Sequence, residues 1–87
     1  MYTVYILRTS SNTLYIGQTN NLQKRLKEHQ KKSSKSAKYI RYFKSLQLVY
    51  SEEYGTRIEA MRREYQIKQW TKAKKEALIA GDSKMFI

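Results

Sequence analysis

Two β-prone segments, TVYIL (residues 3–7) and LYIGQT (14–19), lie on either side of the turn-rich stretch RTSSN, and this pairing constrains the fold more than any other feature. Both are rich in β-branched and aromatic residues, which fit a pleated surface, while serine and asparagine suit a tight reversal. A β-hairpin follows. With Ser10, Ser11 and Asn12 as the turn, an even-sum antiparallel register puts Tyr5 and Tyr15 on one face, because strand side chains alternate with period two.

A helix is predicted next, from about Leu22 to Gln30, with Asn20 or Asn21 as its N-cap and Leu22 and Leu26 as its apolar stripe. At about 100° per residue, Arg25 and His29 fall beside that stripe and one turn apart, whereas Lys24, Lys27 and Glu28 point away. KKSSKSAK (31–38) reads as a basic connector. Ile40, Phe43 and Gln47 at helical spacing then suggest a short helix, although LQLVYSEEY (46–54) reads as a third strand closed by Gly55.

Thr56 with Glu59 three residues later marks the start of a long helix, RIEAMRREYQIKQW. On its helical wheel Glu59, Arg62, Arg63 and Gln66 cluster on one side, and Ile58, Ala60, Met61, Tyr65 and Ile67 cover the rest. Glu64 and Lys68 sit within that apolar arc. A last helix, TKAKKEALIA, is capped by Thr71 and stopped by Gly81.

The 87 residues suit one domain, and a domain this small buries only about 60% of its unfolded surface. The absence of cysteine excludes disulfides and thiolate metal clusters, and the single histidine excludes a multi-histidine zinc site, so any metal is held largely by oxygen. No signal-peptide pattern or long apolar run is present, which predicts a soluble, cytoplasmic protein without membrane contact. Eighteen Lys and Arg against seven Asp and Glu give a formal charge of +11 and point to a polyanionic partner, nucleic acid first.

VYI at 4–6, YIG at 15–17, an arginine at 25, a histidine at 29 and a glutamate on a later helix together resemble the GIY-YIG nuclease superfamily. The likeness covers about residues 2–80 of a single 1–87 domain. In particular the sequence looks like the small stand-alone bacterial members, in which the domain is nearly the whole chain and a segment similar to EYQIKQWTKAKKEALI closes it. The resemblance implies an α/β domain of the α+β type, a small three-stranded antiparallel sheet flanked by helices, that hydrolyses phosphodiester bonds with one divalent metal, Mg²⁺ or Mn²⁺. Matched by position, Tyr5 and Tyr15 are the motif tyrosines, Gly17 the motif glycine, Arg25 and His29 the helix pair and Glu64 the metal ligand.

Those residue types suit that chemistry. A lone carboxylate such as Glu64 fits Mg²⁺, which keeps several waters and takes further oxygens from phosphate. Arg25 offers a planar fork of donors that never loses its charge, matched to phosphoryl oxygens. Tyr5 is the first choice to position or deprotonate water, with Tyr15 and His29 as alternatives; a phenol near pKa ~10 needs cationic neighbours for that task. Taken singly, the tyrosines could be packing residues, Arg25 and His29 surface residues, and Glu64 a partner of Lys68.

Two departures stand out. Gln18 occupies a position where some relatives carry lysine, and no asparagine follows Glu64, so either Thr71 or water takes that place or this branch does without it. The basic and aromatic mixture of Lys35, Lys38, Tyr39 and Arg41 suits phosphate contacts and base stacking. The expectation is an endonuclease acting on DNA, selective for structure or single strands rather than sequence, with repair or recombination as settings. Its alternatives are a nucleic-acid-binding module of the same fold without catalysis and an RNA binder explained by charge alone.

Overall fold

A computed structural model of the chain describes residues 1–30 and 46–81. The elements run β1 (Tyr2–Thr9), β2 (Leu14–Thr19), α1 (Leu22–Gln30), β3 (Leu46–Tyr54), α2 (Arg57–Lys68) and α3 (Lys72–Ala80). The strands form one antiparallel sheet in the order β2-β1-β3, so the α+β class and the three-stranded sheet stand as read from the sequence. The region suggested as a short helix lies largely outside the described residues. Gln47 does not belong to a helix: it pairs with Arg8 within β3.

The hairpin closes through paired backbone bonds, Thr9 N to Thr13 O at 2.9 Å and Asn12 N to Thr9 O at 2.9 Å. Asn12 takes the left-handed φ of 64° that asparagine tolerates better than most side chains, and its side chain accepts from Arg8 at 2.8 Å. Tyr5 faces Gly17 and Leu7 faces Tyr15 across β1 and β2, which puts these four side-chain positions on one face.

β1 is central and covered on both sides, which explains why TVYIL does not alternate between apolar and polar residues. Val4 and Ile6 join Ile16, Ala60 and Ile67 in one cluster, with Leu78 and Ile79 of α3 packed around it. Tyr5 and Leu7 enter the other cluster with Tyr15, Leu22, Leu26 and Leu46. Helix α1 therefore lies on one face of the sheet and α2 with α3 on the opposite one. Full burial of one aliphatic side chain contributes about 1.5–3 kcal/mol, so the central strand supplies much of the core of this small domain.

The helix signals match the caps. Lys24 N donates to Asn21 Oδ1 at 3.1 Å, Glu59 N to Thr56 Oγ1 at 3.2 Å and Lys74 N to Thr71 Oγ1 at 3.2 Å. Gly81 ends α3 with a left-handed φ of 76°.

The wheel assignment of α2 requires correction. Ile58, Met61 and Tyr65 are 62%, 46% and 68% exposed, while the buried residues are Ala60 and Ile67. Arg63, expected on the polar side, turns toward the sheet. Its Nε donates to Glu52 at 2.6 Å, and its guanidinium carbon lies 5.0 Å from the Trp70 ring centroid. Glu52 also accepts from the Tyr50 and Tyr54 hydroxyls at 2.6 and 2.7 Å. A polar hub thus replaces part of the apolar contact expected between helix and sheet. One strand bulge, between Ile6 and Leu7 opposite Tyr50 and Leu48, adds Val49 to β3.

Candidate active site

Hairpin geometry delivers the first half of the site. Because Tyr5 lies directly opposite Gly17, the tyrosine ring occupies the space a side chain would fill. A Cβ placed on Gly17 would lie 2.6 Å from the Tyr5 hydroxyl oxygen and 2.7 Å from Cζ. The glycine is a requirement of close approach. Tyr15, two residues earlier on β2, stands beside Tyr5 with ring centroids 6.4 Å apart.

Helix α1 delivers the next two groups. Leu22 and Leu26 fix which side of α1 faces the sheet, and that choice carries His29 into the interior. Its Nε2 lies 3.2 Å from the Tyr5 hydroxyl, and its ring sits edge-on to Tyr15 at 5.6 Å between centroids. Among the described residues His29 Nδ1 has no hydrogen-bond partner. Arg25, one turn earlier, reaches the Tyr5 phenol and also pairs with Glu28 at 3.4 Å. Glu28 therefore does not point away from the site as its wheel position suggests: its side chain is only 19% exposed and turns toward Arg25.

Electrostatics bind these groups into one unit. Burial pushes the Tyr5 phenol up to about 12; Arg25 pulls against that rise, and the negative charge of Glu64 adds to it. Burial also lowers the His29 pKa, reinforced by the Arg25 charge and opposed by Glu28, so the imidazole is neutral near pH 7. For Arg25 burial works against the charge, but Tyr5, Glu28 and Tyr15 outweigh it and hold the guanidinium firmly protonated.

Glu64 comes from the other side of the sheet. It lies one turn after Ala60 and one before Ile67, so the same face that buries those residues keeps Glu64 at the sheet with only 23% of its side chain exposed. Lys68 Nζ stands 3.7 Å from its carboxylate. Among the described residues no three of His, Asp and Glu gather around one point, and Glu64 is the carboxylate whose charge acts on Tyr5. A single, partly exposed oxygen ligand fits a hard divalent cation that keeps water and shares substrate oxygens.

Tyr5, Tyr15, Arg25 and His29 are thus brought together around Gly17, with Glu64 close enough to act on Tyr5 through its charge. Thr71 is committed as the cap of α3. Lys35, Lys38, Tyr39 and Arg41 lie outside the described residues. The Glu52 hub was missed, although Tyr50, Glu52 and Tyr54 recur at the strand period and so share one face.

The chain belongs to the GIY-YIG family: residues 1–77 match the model of the GIY-YIG catalytic domain. Within that family it is similar to UPF0213 proteins. It is 45% identical over 75 residues to one from Bacillus pumilus, covering 86% of this chain and 74% of the relative. To the UPF0213 protein YhbQ of Escherichia coli it is 44% identical over 77 residues, covering 88% and 75%. The solution structure of a UPF0213 protein from Bacillus halodurans superimposes with a TM-score of 0.60 at 35% identity, covering 94% of this chain and 86% of that one. The GIY-YIG domain implies nuclease activity in general and a nucleic-acid substrate.

Proposed function

We propose that the protein is a divalent-metal-dependent endonuclease that hydrolyses phosphodiester bonds in DNA with little sequence preference. The observation that carries this reading is the buried Tyr5–His29 contact, seated on Gly17 and flanked by the Arg25 guanidinium, within reach of the Glu64 charge. Such a set supplies what slow phosphodiester hydrolysis needs: a group for water, a cation for the phosphoryl oxygens and a carboxylate for a metal.

Arg25 stabilises charge that builds on the phosphoryl oxygens, and burial of its surroundings strengthens that interaction. Tyr5 orients the attacking water and, once its own proton has passed to solvent, accepts the water's proton as the phenolate. With a pKa of about 12, the pull of Arg25 included, the phenol is almost wholly protonated near pH 7, and a donating His29 Nε2–H is the further group that would favour the phenolate. Tyr15 lines the same face and holds the water and phosphate against the Tyr5 ring. Glu64 would hold Mg²⁺ or Mn²⁺, which when bound supplies Lewis acidity and positive charge at the phosphate.

A second reading, a nucleic-acid-binding module without catalysis, draws on the Glu64–Lys68 pair, which engages the carboxylate that a metal needs. A panel of single-stranded, duplex and branched DNA and RNA, with Mg²⁺, with Mn²⁺ and with EDTA, separates the two. Metal-dependent DNA cleavage supports the nuclease. Tight binding with every substrate left intact supports the binding module and overturns the first reading.

A further inference from the structure

A second feature, distinct from the Tyr5–Arg25–Glu64 cluster, lies where the ends of three elements meet. Tyr2 at the start of β1, Gln18 and Thr19 at the end of β2, Asn20 in the following turn and Arg57 at the start of α2 line an open cavity of about 270 Å³. Among the described residues that line it, Arg57 is the one that carries a charge. Among the described residues the side chains of Arg57, Gln18 and Asn20 make no hydrogen bond or ion pair, whereas Arg8, Arg25 and Arg63 are each matched to a carboxylate. The first turn of α2 adds its positive end, its acidic Glu59 being engaged by Thr56, and no acidic residue is among the described residues that line the cavity.

Its position ties it to the site. Gln18 pairs with Val4, so it lies on the sheet face that α2 covers, the face from which Glu64 comes. Arg57 precedes Glu64 by seven residues, which places both along one edge of α2 and about 10 Å apart along its axis. A strand engaged at Glu64 and running toward the N-terminus of α2 would pass its neighbouring backbone over this cavity.

We propose that the cavity is a subsite for a non-scissile phosphodiester of the substrate strand. Arg57 grips the phosphate, and Gln18 and Asn20 donate from their side-chain amides. The inference rests on the nuclease reading and adds to it a cation from α2 near the β2 position where Gln18 supplies none. Phosphate recognition suits a guanidinium surrounded by neutral donors, because the fork of N–H groups stays charged and no carboxylate competes.

The test measures binding of a labelled single-stranded oligonucleotide in EDTA, over a salt series, by the full chain, Arg57→Ala and Arg57→Lys. A companion set of oligonucleotides carries one uncharged methylphosphonate linkage at successive positions. Loss of Arg57 is expected to weaken binding about tenfold and to reduce the salt slope by about one, while lysine keeps most of the affinity. One flanking linkage, when neutralised, is expected to weaken the wild type and leave Arg57→Ala unaffected. In cleavage the loss is expected to fall more on KM than on kcat.

Arg57 is exposed, so the variant is expected to fold, and a melting curve verifies it. Equal affinity and salt slope for wild type and Arg57→Ala would overturn the subsite, as would an equal response of both to every neutral linkage. Absence of wild-type cleavage with metal would overturn the nuclease reading instead, a result seen independently of the binding comparison.

Discussion

Replacing Gly17 by alanine is the smallest change that should disable the site, and its size follows from the packing. The new Cβ would stand 2.6 Å from the Tyr5 hydroxyl oxygen, 2.7 Å from Cζ and 3.2 Å from Cε1, so the ring as well as the hydroxyl must retreat. Tyr5 is buried with only 1% of its surface exposed and touches His29 at 3.2 Å, which leaves it little room. Overpacking of this kind costs about 1–3 kcal/mol, partly offset by about 0.4–1 kcal/mol from the stiffer unfolded chain. A net loss of up to about 2.5 kcal/mol remains, and for a domain of this length each kcal/mol lowers Tm by about 4–8 °C.

The activity loss should be larger than the stability loss suggests, because a displacement of about 1 Å at a reacting group can cost about 100-fold. The assay is paired: thermal melting for stability, and single-turnover cleavage at a temperature where both proteins are folded. Adding Tyr5→Phe to Gly17→Ala removes the nearest clashing atom but leaves Cζ in place, so stability should recover only in part. A Gly17→Ala protein with wild-type melting and wild-type cleavage would refute the claim that this glycine seats Tyr5.

Two further predictions concern stability. Glu52→Ala strips the acceptor from Arg63 and two phenols in a half-buried network and should cost about 2–3 kcal/mol; chemical denaturation checks it, with the more exposed Glu76→Ala giving a smaller change. His29 has a folded pKa below its ordinary 6.5, so the unfolded chain binds its proton first. Its contribution is fully present above about pH 6.5 and is lost as pH falls through the lowered folded value. Melting temperatures followed from about pH 7.5 to 5 should fall, and a flat profile would contradict the burial of a neutral imidazole.

Local chemistry made most of the fold legible. Turn residues, caps at Asn21, Thr56 and Thr71, and Gly81 each act over a few residues, so their consequences are readable without tertiary information. The shared face of Tyr5 and Tyr15 followed from strand parity, and the inward turn of His29 from its place beside Leu22 and Leu26. Helix α2 was less legible because its apolar residues span a wide arc and the sheet accepts only the narrow stripe of Ala60 and Ile67. Which stripe wins depends on Glu52, a strand residue that draws Arg63 inward from eleven positions away. Glu28 was misplaced for a similar reason, since its pairing with Arg25 outweighs its nominal wheel position. The subsite around Arg57 was not foreseen, because its residues come from three elements and meet only in the folded chain.

The central claim is that Glu64 and the Tyr5–Arg25–His29 cluster form one hydrolytic site. The most direct measurement compares wild type with Glu64→Ala on the same labelled DNA, recording cleavage with Mg²⁺ and binding in EDTA on each preparation. The account predicts metal-dependent cleavage by the wild type, its loss by at least about 100-fold in Glu64→Ala, and binding retained by the variant. Equal cleavage by both proteins, or DNA bound tightly and left uncut by the wild type, would contradict it.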